Sequence, residues 1–236
     1  MTELLYMKDH YLKEFDAEVK EVNGKFIVLD KTAFYPQGGG QICDNGKLIK
    51  DGGEYSVVFV KKMSSVVSHE VDKEGLKVGD KIKGVLDWDR RYKLMRAHTA
   101  AHIISQVIHK ETGALITGNQ LDLEKVRIDF SLETFDKEKL QGYVSEANNI
   151  IQQDLPLSIE FKTRDEALKI PQLSKLAAGL PDFIEEVRIV KIGDFDLQAD
   201  GGTHVNSTKE VGKLEFIKAE NKGKNNRRVY FQIKDG

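Results

Sequence analysis

The chain has 236 residues, 40% hydrophobic and 31% charged, enough for one or two domains with a substantial core. Four prolines among plentiful aliphatics exclude a collagen-like or disordered chain, and the single cysteine, Cys43, excludes an intramolecular disulfide and an all-cysteine zinc site. A net charge of −2 creates no global field for nucleic acid, although residues 209–235 hold 8 basic against 4 acidic groups. No apolar run reaches membrane-spanning length and the first residues are charged throughout, so the expectation is a cytoplasmic chain without signal peptide or membrane contact. Nothing in the sequence indicates an obligate protein partner.

The first ninety residues read as strands. Ala17–Val22, Lys25–Leu29 and Lys47–Ile49 are set off by Asn23-Gly24 and Asn45-Gly46, pairs that supply the positive φ of tight turns. Tyr55–Val60, Val66–Val71 and Lys81–Trp88 follow. Six short strands with regular turn signals predict a small barrel. From Lys93 to Lys110 the apolar residues fall at helical spacing, and Val126–Phe130 alternates as a strand. Asp136–Gln152 carries a second amphipathic pattern, and Thr163-x-x-Glu166 is a capping box opening a short third helix. Glu186–Ile192, Val211–Ala219 and Arg228–Ile233 read as strands, the last two joined by a turn around 221–226. The boundary falls near residue 90. It divides a barrel domain, 1–90, from an α+β domain, 91–236.

Several residues could carry chemistry. His98 and His102 stand four apart on the first strong helix, so both imidazoles share one face at a separation suited to one metal ion. His109 points nearly the same way but lies about 10 Å further along the axis, too far to share the ion. His10 and His69 read as polar surface residues. No carboxylate stands between His98 and His102, which disfavours a metalloprotease. Ala199-Asp200-Gly201-Gly202-Thr203-His204-Val205 is a glycine turn with a third histidine. Phe34-Tyr35-Pro36-Gln37-Gly38-Gly39-Gly40-Gln41 is another, and three successive glycines cost chain entropy unless the backbone bends sharply or approaches a ligand. Taken separately, such turns are more often plain tight turns than sites.

Four of these motifs together resemble a known family. Thr32–Pro36 with Gly38–Gln41 is similar to the glycine motif preceding the editing domain of alanyl-tRNA synthetase. Arg96-Ala97-His98-Thr99-Ala100-Ala101-His102 resembles that domain's R-x-H-T-A-x-H helix, Arg127–Ser131 its R-x-D-F-S strand, and Gly201–Val205 its C-G-G-T-H-V turn. No aminoacylation motifs precede them, so the chain looks like a free-standing AlaX-type editing protein of the medium-length class.

The resemblance implies an α+β fold: an amino-terminal barrel resembling domain II of translation factors, then an α+β editing domain with a metal-binding helix. It implies trans hydrolysis of mischarged tRNA(Ala), chiefly Ser-tRNA(Ala) and in this class sometimes Gly-tRNA(Ala). One zinc ion per chain would sit on His98, His102 and His204. Asp200 stands where the family has cysteine, and either ligates the ion or orients its surroundings. Thr117 is the candidate for binding the serine hydroxyl, with Gly201, Gly202 and Thr203 lining the site. Gly38, Gly39, Gly40 and Gln41 would help to shape it. Lys222, Lys224, Arg227 and Arg228 are candidates for tRNA phosphate contact. Two alternatives stay open: a non-catalytic tRNA-binding relative, and an editing deacylase of the threonyl type.

Overall fold

A computed structural model describes residues 1–134, 136–170, 173 and 185–234. The chain divides into two compact units, Met1–Leu94 and Met95–Gly236.

The first unit opens with β1 (Glu3–Leu4), followed by β2 (Glu14–Asn23), β3 (Phe26–Leu29), β4 (Lys31–Thr32), β5 (Gly46–Lys50), β6 (Gly53–Met63), β7 (Val66–Val71) and β8 (Lys81–Leu86). β1 and β4 form a short parallel pair, and the other six close a barrel in the order β2-β3-β7-β6-β5-β8. These six correspond one for one to the strands read from the sequence. Alternation drives the closure: Phe15, Ala17 and Val19 of β2 point inward with Ile27, Leu29, Leu48, Val57, Val60, Val67 and Ile82 into one core. Phe15 pairs across the ladder with Gly84, and a Cβ there would lie 2.4 Å from its ring, so the glycine makes room for the aromatic. The 36–41 motif closes as a reverse turn in which Gly38 and Gln41 exchange backbone hydrogen bonds. Gly39 and Gly40 occupy its centre at φ +57° and +85°, which explains two of the three glycines.

His10 and His69 are not surface residues. Both are buried, His69 completely. Its Nδ1 lies 3.0 Å from the Ile27 carbonyl and its Nε2 2.8 Å from the Thr32 hydroxyl. Alternation along β7 places Ser68 and Glu70 on the other face, a register that polarity alone did not fix. Burial pushes the His69 pKa down to about 4.

α1 (Trp88–Thr112) is the long helix read from the sequence. Every residue from 97 to 108 is buried, and Gly113 ends the helix at φ +71°, its N–H donating to the His109 carbonyl. β9 (Ile116–Leu121), β10 (Val126–Phe130), α2 (Lys137–Gln152), β11 (Leu157–Thr163), α3 (Arg164–Ala167), β12 (Glu186–Ile192), β13 (Asp196–Ala199), β14 (Lys213–Asn221) and β15 (Arg227–Lys234) follow. Two antiparallel sheets result, ordered β14-β15-β10-β9 and β11-β12-β13. The fold is thus α+β, with a closed barrel in the first unit. Asp136 caps α2 by accepting from Lys139 N–H, and the helix buries Leu140, Tyr143, Val144, Ala147, Ile150 and Ile151. The Thr163–Glu166 capping box forms as read.

Five strands escaped the sequence reading: the two-residue β1 and β4 of the first unit, and β9, β11 and β13 of the second. β9 reads Ile-Thr-Gly-Asn-Gln-Leu, polar at its centre, and is strand only because β10 supplies its ladder. The strand expected at Val211–Ala219 begins at Lys213, because a Ser207–Glu210 capping box winds Thr208–Val211 into a 3₁₀ turn. Among the described residues no helix is long and apolar enough to cross a membrane.

Candidate metal centre

His98 and His102 stand one turn apart on α1, their ring centroids 5.3 Å from each other. The loop after β13 brings His204 to 4.4 Å and 4.7 Å from those rings. All three Nε2 atoms face one carboxylate. His204 Nε2 lies 2.9 Å from Asp200 Oδ2, while His98 and His102 Nε2 lie 3.3 and 4.0 Å from Asp200 Oδ1. The imidazoles are buried and the Asp200 carboxylate is nearly so.

The loop is shaped for this convergence. Asp200 continues the β12–β13 pairing, its N–H donating to the Arg188 carbonyl while the Arg188 guanidinium donates back to the Asp200 carbonyl at 2.7 Å. Gly202 N–H then donates to Asp200 Oδ2 at 2.6 Å. A Cβ on Gly202 would stand 2.1 Å from the His98 ring, so this glycine is required by close approach, whereas Gly201 faces open space. Thr203 is fully buried within the turn. The Thr99 hydroxyl lies 3.2 Å from His204 Nδ1 and accepts from Val205 N–H, tying the loop to the helix.

Two of the four groups are shifted towards the forms in which they bind metal. Burial opposes the Asp200 charge, but neighbouring His98 and the His204 hydrogen bond outweigh it and hold the carboxyl well below 3.8. Burial, helped by nearby His98, pushes His204 well below 6.5. A neutral imidazole and an ionised carboxylate are the ligand forms.

The donor set fits zinc. Ligand atoms about 2.0–2.1 Å from a tetrahedral ion stand roughly 3.3 Å apart, and the ligand atoms of His98, His102, Asp200 and His204 lie within 4.8 Å of one another. Nitrogen and oxygen donors in this number suit zinc among other divalent ions.

The other candidate residues fall outside this four-residue cluster. His109 holds the Ala114 carbonyl at 3.0 Å. Thr117 is the extra residue of a bulge in β9, between the Gly118–Asp129 and Ile116–Phe130 pairs, and its exposed hydroxyl donates to Asn226 Oδ1 at 3.2 Å. Arg227 is buried, donating to the carbonyls of Gly223, Asn226 and Lys224 and to that of Glu133. Arg228 makes a two-pronged pair with Asp129 at 2.7 and 2.8 Å. Arg227 thus holds the β14–β15 turn together, because a buried guanidinium must satisfy its donors internally, while half-buried Arg228 ties β15 to β10. Lys222 and Lys224 are exposed, Lys222 beside Glu220.

The sequence reading missed Asp196. Its Oδ2 lies 3.4 Å from His102 Nδ1. The available signal was the alternation Asp196, Gln198, Asp200, which gives all three residues one parity across β13 and its end.

Residues 4–90 match a family model described as tRNA synthetases class II (A), and residues 187–230 one described as Threonyl and Alanyl tRNA synthetase second additional domain. The chain is 51% identical over 243 residues to an alanyl-tRNA editing protein AlaX-M of Methanosarcina barkeri, each chain being covered completely. It is 47% identical over 237 residues to the AlaX-M protein of Saccharolobus solfataricus, covering 99% of this chain and 100% of that one. The chain belongs to the AlaX-M family. An alanine–tRNA ligase of Pyrococcus abyssi is 38% identical over 224 residues, which span 93% of this chain and 24% of the ligase. Within this AlaX-M chain the second family model covers Asp196, Asp200 and His204, while His98 and His102 fall between the two matched segments.

Proposed function

We propose that the chain is a zinc-dependent aminoacyl-tRNA deacylase that hydrolyses mischarged tRNA(Ala) in trans, with Ser-tRNA(Ala) as main substrate and Gly-tRNA(Ala) as a second. The observation that carries this reading is the convergence of three imidazole Nε2 atoms on the Asp200 carboxylate. The AlaX-M relatives, named as alanyl-tRNA editing proteins, support the substrate class. In this reading residues 1–90 are the glycine-motif domain and residues 91–236 the editing domain.

One zinc ion per chain would be held by His98, His102 and His204, with Asp200 as fourth ligand or orienting neighbour. Zinc so bound supplies a Lewis acid for the ester carbonyl or an acidified water. The chain's own residues prepare the site. Burial keeps His204 neutral, Thr99 fixes that ring, and Gly202 admits His98 to the loop. Thr117 would recognise the serine hydroxyl: a group placed to hydrogen-bond a hydroxyl rejects alanine far better than an apolar pocket can. Gly201 and Thr203 would line the aminoacyl site, and Lys222 and Lys224 would meet tRNA phosphates. Gly38–Gln41 would contribute to deacylation, and alanine at Gly39 and Gly40 should slow the reaction while leaving zinc in place.

Hydrolysis of Ser-, Gly- and Ala-tRNA(Ala) and of Ser-tRNA(Thr), with and without a chelator, tests the reading. Chelator-sensitive loss of Ser-tRNA(Ala), with Ala-tRNA(Ala) spared, is the expected result. Binding of tRNA without hydrolysis would favour a non-catalytic relative, and preference for Ser-tRNA(Thr) the threonyl type. Asp200→Ala separates the two roles of that carboxylate: lost zinc means ligation, retained zinc with slow hydrolysis means orientation.

A further inference from the structure

We propose that Asp196 is the positioning residue of His102, setting its tautomer and ring angle so that Nε2 is presented to the metal. The inference rests on the zinc-centre reading above.

His102 turns its Nε2 towards Asp200 and its Nδ1 the opposite way, into the protein. That Nδ1 is buried and has no hydrogen-bond partner among the described residues. Facing it at 3.4 Å is Oδ2 of Asp196, whose side chain is completely buried. A neutral imidazole that ligates through Nε2 must carry its proton on Nδ1, and a buried N–H needs an acceptor. The Asp196 carboxylate supplies it. The separation is 3.4 Å, and the hydrogen bond proposed here requires a small rotation of the ring to reach ordinary length.

The fold shows how Asp196 arrives there. Gln106 lies one helical turn beyond His102, on the same face of α1. Its Nε2 donates to the Phe195 carbonyl at 2.7 Å, which pins the start of β13 against the helix. Asp196 is the next residue, paired with Ile192 of β12. The helix spacing His102–Gln106 therefore delivers the carboxylate to the imidazole. A cleft of about 580 Å³ lined by Gln106, Lys110, Lys162, Lys191 and Phe195 runs past Asp196. Asp196 lines that cleft too, and its buried Oδ2 is the oxygen that faces His102.

The two carboxylates thus divide the work. Asp200 meets the Nε2 side of the imidazoles and Asp196 the Nδ1 side of one of them. Thr99 is the corresponding neighbour of His204.

The test measures zinc affinity of the full chain by chelator competition, with ¹⁵N NMR of the zinc-loaded His102 ring and a melting curve for each variant. Asp196→Ala should weaken zinc roughly 10- to 100-fold while Tm confirms a folded chain. Asp196→Asn keeps a carbonyl acceptor and should lose less. Gln106→Ala should shift affinity in the same direction by a smaller factor. Wild-type affinity and an unchanged His102 Nδ1–H signal in folded Asp196→Ala overturn the proposal. A wild-type chain that binds no zinc overturns the metal-centre reading as well, an outcome distinct from normal binding by both wild type and variant. Should Asp196→Ala not fold, the Asn variant carries the same comparison.

Discussion

Each unit buries a cluster of charged and imidazole groups, and the two are built on opposite plans. In the first unit Arg91 and Asp44 are completely buried, yet the backbone answers them. Arg91 donates to Asp44 and to the carbonyls of His10 and Ala33, and Asp44 accepts from Tyr35 N–H. His69 is likewise held by the Ile27 carbonyl and the Thr32 hydroxyl. In the second unit His98, His102, His204 and Asp200 turn chiefly towards one another, and His102 Nδ1 has no hydrogen-bond partner among the described residues. A buried polar group answered by its own backbone is a structural part; several converging on one point, with a donor position left over, make a ligand site.

The sharpest way to break that contrast is to remove a member from each cluster. His98→Ala or His102→Ala should abolish bound zinc and Ser-tRNA(Ala) hydrolysis together while the urea midpoint of the zinc-free chain barely moves. Retained zinc stoichiometry would contradict the assignment. Arg91→Met should do the converse, costing about 3–5 kcal/mol because Asp44 is left charged and buried, without changing zinc content. Urea unfolding followed with zinc titration reads both quantities.

Glycine substitutions sharpen the contrast within the loop. Gly202→Ala forces a methyl group into the His98 ring, whereas Gly201→Ala meets open space. The first should weaken zinc by roughly tenfold or more and the second hardly at all. Equal effects would show that the loop does not hold His98.

Acid titration separates the histidines by another route. With a pKa of about 4 folded and 6.5 as reference, His69 binds its proton in the unfolded chain first as pH falls. Its contribution is therefore complete above about pH 6.5 and declines as pH drops towards 4, by about 3 kcal/mol in all. Urea midpoints of the zinc-free chain from pH 7.5 to 4 should show this decline, and His69→Gln should flatten it. A slope unchanged by that substitution would assign the acid loss elsewhere.

The smallest effect belongs to the β14–β15 turn. Replacing Lys222 and Lys224 by glutamine should lower the salt slope of tRNA binding by somewhat under 2, since each phosphate contact contributes roughly 0.7–0.9. Arg227 and Arg228 are committed within the fold, so their replacement should lower stability first. An unchanged salt slope after the lysine replacements would leave the turn as solvated surface.

Much of this organisation was written locally. Six barrel strands, the long histidine helix, the capped α2 and the Thr163–Glu166 box follow from alternation, helical spacing and capping residues, all of which act over a few positions. The His98–His102 pair was legible because helix geometry places residues four apart on one face. Its completion by His204 was legible only through the resemblance of four motifs, since the partner lies about a hundred residues away. β9 and β13, polar or short, left no local pattern strong enough to mark them.

The amino-acid sequence by itself therefore determined the fold class, the change from strand to helix near residue 90, and three histidines suited to one ion. Tertiary structure alone decided that His69 is enclosed, that Arg227 bonds the turn carbonyls and Arg228 pairs with Asp129, and that Asp200 faces the three Nε2 atoms. It also decided that Asp196 stands behind His102. Local propensity acts through neighbours in the chain, whereas burial and hydrogen-bond partners are set by segments that meet only after folding. Gln106 fastening Phe195 to α1 from 89 residues away is the physical reason that alternation along β13 could not by itself place Asp196 beside His102.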